Sequence, residues 1–109
     1  ELIAVLYEIV GKYIVKDSVI KIGNYAFEYQ QKMTEIKLPI KLKEISTEAF
    51  TDCIGLTEIY IPESVTTIGN TAFNGADNLN KIQINKEAGS ITGSPWGATK
   101  GDRIVEWLK

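Results

Sequence analysis

Leu56-Thr57-Glu58-Ile59-Tyr60-Ile61-Pro62-Glu63-Ser64-Val65-Thr66-Thr67-Ile68-Gly69-Asn70-Thr71-Ala72-Phe73 is the unit from which this chain is built. Shifting the sequence by 23 residues lays its apolar lattice on itself. Ile22, Ile45, Ile68 and Ile91 form one column, and Phe27, Phe50, Phe73 and Trp96 another. Met33, Leu56 and Leu79 align, as do Ile36, Ile59, Ile82 and Val105, and then Leu38, Ile61, Ile84 and Trp107. Val19, Leu42 and Val65 match, and Ala26, Ala49 and Ala72 precede each Phe. A fixed period of this length implies a solenoid, in which each unit buries its core by stacking on its neighbours.

The string L-x-x-I-x-I-P-x-S-V-x-x-I-G-x-x-A-F resembles the BspA-type (Treponema pallidum-type) leucine-rich repeat of bacterial and protist cell-surface proteins. The likeness covers Asp17 to Asn85 well and Lys86 to Lys109 as a degenerate copy. Asn85 departs from it, standing where Pro39 and Pro62 stand, and so does Ser46, standing where Gly23 and Gly69 do. The implied fold is a leucine-rich repeat solenoid, right-handed α/β but β-rich, with a parallel sheet, short second strands and short helical turns. Its expected organisation is a single domain over residues 1–109: a partial copy at 1–16, repeats at 17–39, 40–62 and 63–85, and a degenerate terminal copy at 86–109. The resemblance also implies an extracellular or bacterial cell-surface location.

The 109 residues are one domain's worth, near the small end for burying a core. A net charge of −2 and a pI near 5.1 argue against a nucleic-acid partner, which would call for a basic stripe. Acidic and basic residues are interspersed, as on a solvated mixed surface. No run of 18 apolar residues exists, so no membrane insertion is expected. The single cysteine, Cys53, has no internal disulfide partner. It shares a column with Gln30, Ala76 and Thr99, and a small buried apolar residue is the reading there. The chain starts at Glu1 inside the lattice, without an initiator Met or signal peptide, and ends on Trp107-Leu108-Lys109 without a polar cap. It reads as a piece of a longer protein, and as a monomer.

Each copy has three parts. Glu35–Leu38, Glu58–Ile61 and Lys81–Ile84 alternate with the two-residue period of a strand buried on one face. Pro39 and Pro62 end the strand, since proline lacks the amide N–H of the next ladder bond. Ile20-Lys21-Ile22, Lys43-Glu44-Ile45 and Thr66-Thr67-Ile68 give a shorter extended run, stopped at Gly23 or Gly69 by a turn expected to need positive φ. Asn24, Thr47 and Asn70 then open a turn or two of helix that drops each Phe inward. Glu1–Val15 reads either as an amphipathic helical stripe (Leu2, Val5, Leu6, Ile9) or as strand, loop, strand around Gly11-Lys12. The lattice favours strand, with Val10, Tyr13 and Val15 in the Met33, Ile36 and Leu38 columns. In the fourth copy Ser94-Pro95-Trp96-Gly97-Ala98 predicts a tight turn with Trp96 in the core.

Chemistry is sparse. There is no histidine, which removes Ser-His and Cys-His nucleophile pairs and histidine zinc sites, and one cysteine cannot build a thiolate site. No phosphate-binding glycine motif or nucleophile elbow occurs, and Asp77-Asn78-Leu79-Asn80 lacks calcium-loop spacing. Glu35 and Glu58 fall in one outward column, about 4.8 Å apart, close enough for like charges to raise a pKa. Lys12 and Lys81 flank them, and an open sheet implies no pocket. No enzyme, cofactor or metal is expected.

The residues between inward Ile positions face out: Lys12, Glu35, Glu58 and Lys81, then Ile14, Lys37, Tyr60 and Gln83. Solenoids use such a face for partners, and the resemblance points the same way. Tyr60 is the best anchor, combining apolar area with a hydroxyl. The expected site is Tyr60, Lys37, Glu58, Gln83, Glu35 and Lys81, serving adhesion to a protein or extracellular-matrix ligand as a non-catalytic binding module. The alternatives are a passive spacer, or an accessory binding domain of a larger surface enzyme.

Overall fold

Isoleucines at alternate positions bury one side of an extended segment only when a like segment lies beside it. The computed structural model, which describes residues 1–109, meets this by stacking the copies in parallel. In chain order the strands are β1 (Gly11–Ile14), β2 (Lys21–Ile22), β3 (Met33–Lys37), β4 (Glu44–Ile45), β5 (Glu58–Ile61), β6 (Thr67–Ile68), β7 (Lys81–Ile84) and β8 (Val105–Trp107). The short strands form one sheet, β2-β4-β6, with Ile22, Ile45 and Ile68 in register. The longer strands form two ladders, β1-β3 and β5-β7-β8. In the second, Ile59, Ile82 and Val105 align, as do Ile61, Ile84 and Trp107. All these offsets except one in β1-β3 are the 23 residues of the repeat.

The exception explains a break in the long sheet. Gly11 pairs with Met33, but Lys12 pairs with Glu35, so Thr34 is an extra residue on β3. Such a bulge bends the strand that carries it. Glu35 and Glu58, two like charges, would also stand opposite each other across the next junction, an unfavourable cross-strand pair. β3 lies alongside β5, but no ladder joins them. Ile59 and Ile82 are therefore ladder neighbours as expected, whereas Ile36 and Ile59 are not.

The same bulge corrects the reading of the first residues. Val10 does not join the Met33 column; it is 72% exposed, and Ile9 is buried instead. Of Leu2–Tyr7, only Leu2 makes a β-bridge, to Ile22. The segment is held by Gln30, whose buried side-chain carbonyl accepts the Ile9 N–H at 2.9 Å and whose amide donates to the Tyr7 carbonyl at 2.9 Å.

The helical turns of the third part are replaced by successive turns closed by i→i−3 bonds, such as Ala26 N–H to Gly23, Glu28 N–H to Tyr25 and Gln30 N–H to Phe27. Left-handed residues break any helical run: Tyr25 and Tyr29 at φ 60°, Glu48 at 57° and Asp52 at 58°. The N–H groups a helix would use also point to the next copy. Phe27 donates to Ala49 at 2.9 Å, Phe50 to Ala72 at 2.8 Å and Phe73 to Trp96 at 2.9 Å. The only helical piece is one 3-10 turn, Asp102–Ile104. Gly23 and Gly69 are also used differently than expected, since neither has positive φ. Gly69 answers a close approach: a Cβ there would lie 2.4 Å from the Thr47 backbone nitrogen.

Inside, Phe27, Phe50 and Phe73 stack as a column, with ring centroids 5.2 and 5.5 Å apart and planes within 15°. Tyr13 closes one end edge-on to Phe27 at 5.5 Å. Trp96 is buried in the next position, as its column implied, and meets Trp107 at 6.2 Å. Pro62 directly follows the end of β5 as expected, whereas β3 stops at Lys37, one residue short of the Leu38-Pro39 end the sequence implied; Asn85, at the equivalent place, donates the N–H proline lacks to Ile61 at 3.0 Å. The β2-β4-β6 sheet stops at β6, where the Lys86 ammonium donates to the Val65 carbonyl at 2.9 Å. Cys53 is buried, its thiol donating to the Phe27 carbonyl at 2.9 Å. Burial pushes that thiol up to about 12; a Gln30 backbone hydrogen bond opposes the shift and the Asp52 carboxylate adds to it.

Three outcomes follow from this packing. Phe50→Ala removes the middle ring and should cost roughly 3–5 kcal/mol in urea unfolding, which exceeds half the stability of a domain this size at the low end of the usual range of about 5–15 kcal/mol. Gln30→Leu should cost about 1–3 kcal/mol by leaving the Ile9 N–H and Tyr7 C=O unpaired, and hydrogen exchange should localise the loss to residues 1–10. The raised Cys53 thiol makes stability fall as pH rises above about 8.5, where the unfolded chain sheds a proton that the native chain keeps. Urea titrations between about pH 8.5 and 10.5 should show Cys53→Ala with a shallower loss, the difference reaching at most about 1.4 kcal/mol per pH unit.

Candidate functional site

Parallel pairing turns the alternation of each strand into rows across a face. Glu58 and Lys81 form one row of the β5-β7-β8 ladder, and Tyr60, Gln83 and Glu106 form the next. Tyr60 is 47% exposed, with its ring on the open face, while Lys81 and Gln83 are half-buried. The Gln83 amide donates to the Glu106 carboxylate at 3.4 Å. Glu106 was absent from the expected site, although its place 23 residues after Gln83 was available in the sequence. Of the six residues singled out there, Glu58, Tyr60, Lys81 and Gln83 come together on this ladder. Glu35 and Lys37 sit on β3, in the other ladder, where Lys12 reaches Glu35 at 3.7 Å and Ile14 pairs with Lys37. The bulge thus divides the expected site between two adjacent pieces of sheet.

Charges on this side stand beside opposite charges in neighbouring copies. Glu35 has Lys12 and Glu58 has Lys81 across the ladder. At the strand ends, Lys109 bonds Glu63 at 2.7 Å. That contact and its charge hold the Glu63 carboxyl below its ordinary range, and Glu63 in turn holds the Lys109 ammonium above its own. Exposed pairs of this kind contribute little to stability; they set a patterned surface. The face is flat and carries no cluster of three or more His, Cys, Asp or Glu placed to hold a metal. No helix is long and apolar enough to cross a membrane.

A flat sheet with aromatic, amide and charged rows suits recognition of another surface. A model of the BspA type leucine-rich repeat region, described as six copies, matches residues 9–100. No curated protein and no solved structure matches the chain. The repeat period, the parallel ladders and the match over most of its length establish that this chain belongs to the BspA-type leucine-rich repeat family.

Proposed function

We propose that this chain is a non-catalytic binding module that engages a protein or extracellular-matrix ligand through the outward face of the β5-β7-β8 ladder. The observation that carries the reading is the row Tyr60, Gln83 and Glu106, beside Glu58 and Lys81, on a face the fold does not need. Leucine-rich repeats generally mediate protein–protein interaction and are typically non-catalytic. A bacterial cell-surface or secreted location, with adhesion as the role, fits the family to which the chain belongs.

Size sets the expected strength. The ladder's three strands, at ~4.8 Å spacing with about four residues each at ~3.3 Å, give a face of roughly 190 Å², against about 800 Å² per partner in a standard interface. These copies bind weakly alone or supply part of a longer surface. Tyr60 anchors the contact, with Glu58, Lys81 and Gln83 around it; Glu35 and Lys37 extend it across the β3 junction.

A passive spacer would need only the inward lattice, so the test separates the two roles. Tyr60→Ala should leave thermal stability within about 0.5 kcal/mol of wild type. It should weaken binding to a matrix protein in a biosensor titration by about 2 kcal/mol, some thirtyfold. Equal binding by both proteins removes Tyr60 from the site, and no binding of any matrix protein tested favours the spacer.

A further inference from the structure

The turn region holds a second surface that uses none of the sheet-face residues. Each of the first two copies carries a pair of left-handed residues, Tyr25 and Tyr29, then Glu48 and Asp52, and Gly75 follows at φ 78° in the third. Left-handed backbone crowds a side chain's Cβ, so a bulky aromatic there is unusual, and two within five residues more so. Nothing in the stack calls for a ring: Asp52 and Gly75 replace Tyr29 one and two copies on. Both tyrosines are exposed, at 48% and 62%, beside Tyr7 and the almost wholly exposed Leu6. Together with Ile3 they line a groove between the N-terminal segment and the first turn. Gln30 fixes one wall to the other through its bonds to Ile9 and Tyr7.

The groove is acidic. Glu8 and Glu28 line it, and Glu48 adjoins Tyr25, whose phenol is held above its ordinary value chiefly by the Glu48 charge. Lys32 reaches Glu8 at 3.7 Å, but neither Glu28 nor Glu48 has a basic side chain within 4.0 Å. Aromatic rings beside carboxylates that lack a basic partner match one chemistry well. A guanidinium can stack on a tyrosine face and hydrogen-bond a carboxylate at once.

We propose that this groove binds an extended, arginine-bearing segment of a protein partner, with guanidinium groups lying on the Tyr25 and Tyr29 rings and paired with Glu28 and Glu48. Proline between the arginines favours the extended form that aromatic grooves accept. The probe is the acetylated, amidated pentapeptide Pro-Arg-Pro-Arg-Pro, titrated by calorimetry into the whole chain, with Pro-Glu-Pro-Glu-Pro as its control. The arginine peptide should bind at least about tenfold more tightly than the glutamate peptide. Tyr29→Gly should weaken it about tenfold while leaving the melting temperature equal or higher, because glycine accepts the left-handed backbone. Glu28→Gln, at an exposed position, should weaken it several-fold and flatten its salt dependence. Tyr60→Ala should leave it unchanged. Equal binding of the two peptides, binding of neither, or full affinity in both Tyr29→Gly and Glu28→Gln would overturn the proposal. Concentration-dependent self-association that Tyr29→Gly abolishes would overturn it too, assigning the groove to a second copy.

Discussion

The structure depends on one demand, that the turn amides of each copy find carbonyls in the next, 22 or 23 residues on. The turn amides of Phe27, Phe50 and Phe73 each donate to the following copy. So do those of Tyr29, to Thr51 at 3.0 Å, and Asp52, to Asn74 at 2.9 Å. Buried backbone groups must be paired, and here the pairing runs along the stack axis. A helix would satisfy the same amides within one copy, leaving only packing between copies in the turn region, beside the strand ladders. The turns instead couple neighbours through backbone and rings at once, which is why a loss at Phe50 reaches both sides.

The 23-residue register of the ladders governs the surface. A residue's outward neighbour is whatever stands 23 positions away, so charge complementarity is written at that distance in sequence. Lys12 with Glu35 and Lys21 with Glu44 are such pairs, at 3.7 and 3.6 Å. Where the rule would set Glu35 against Glu58, the long sheet has no ladder. The bulge at Thr34 and the like charges act together there, and each carboxylate keeps its own lysine on its own side.

What could be read from the sequence was whatever repeats. The inward columns, the parallel registers of β2-β4-β6 and β5-β7-β8, the burial of Trp96 and Cys53 and the strand-ending Pro62 all follow from period and side-chain type. The departures escaped because they are local and occur once. A 23-residue count puts Val10 inward, and the Thr34 bulge invalidates that count. Asn24, Thr47 and Asn70 look like helix caps, yet the left-handed Tyr25 and Glu48 that follow cannot continue a helix. Glycines 23 and 69 suggested positive φ, whereas at Gly69 the nearness of Thr47 is what excludes a side chain. Of the sheet face, the four residues on β5 and β7 came together as alternation implies, and the junction that parts them from Glu35 and Lys37 has no one-copy signature.

A column can change its task along the stack because its surroundings change. The column of Gln30, Cys53, Ala76 and Thr99 makes this concrete. In mid-stack it is a small buried filler, Ala76, or a thiol donating to a carbonyl one copy back, Cys53. Near one end, Gln30 turns the same place into a clamp on an irregular segment. Near the other, Thr99 lies at the surface and bonds the Asp77 carboxylate at 2.6 Å. Stacking on both sides holds mid-stack positions to the lattice, while positions at the ends and on the open faces are released from it. Tyr29 stands among the released positions: the lattice accepts Asp52 and Gly75 in its place, so the stack does not require its ring.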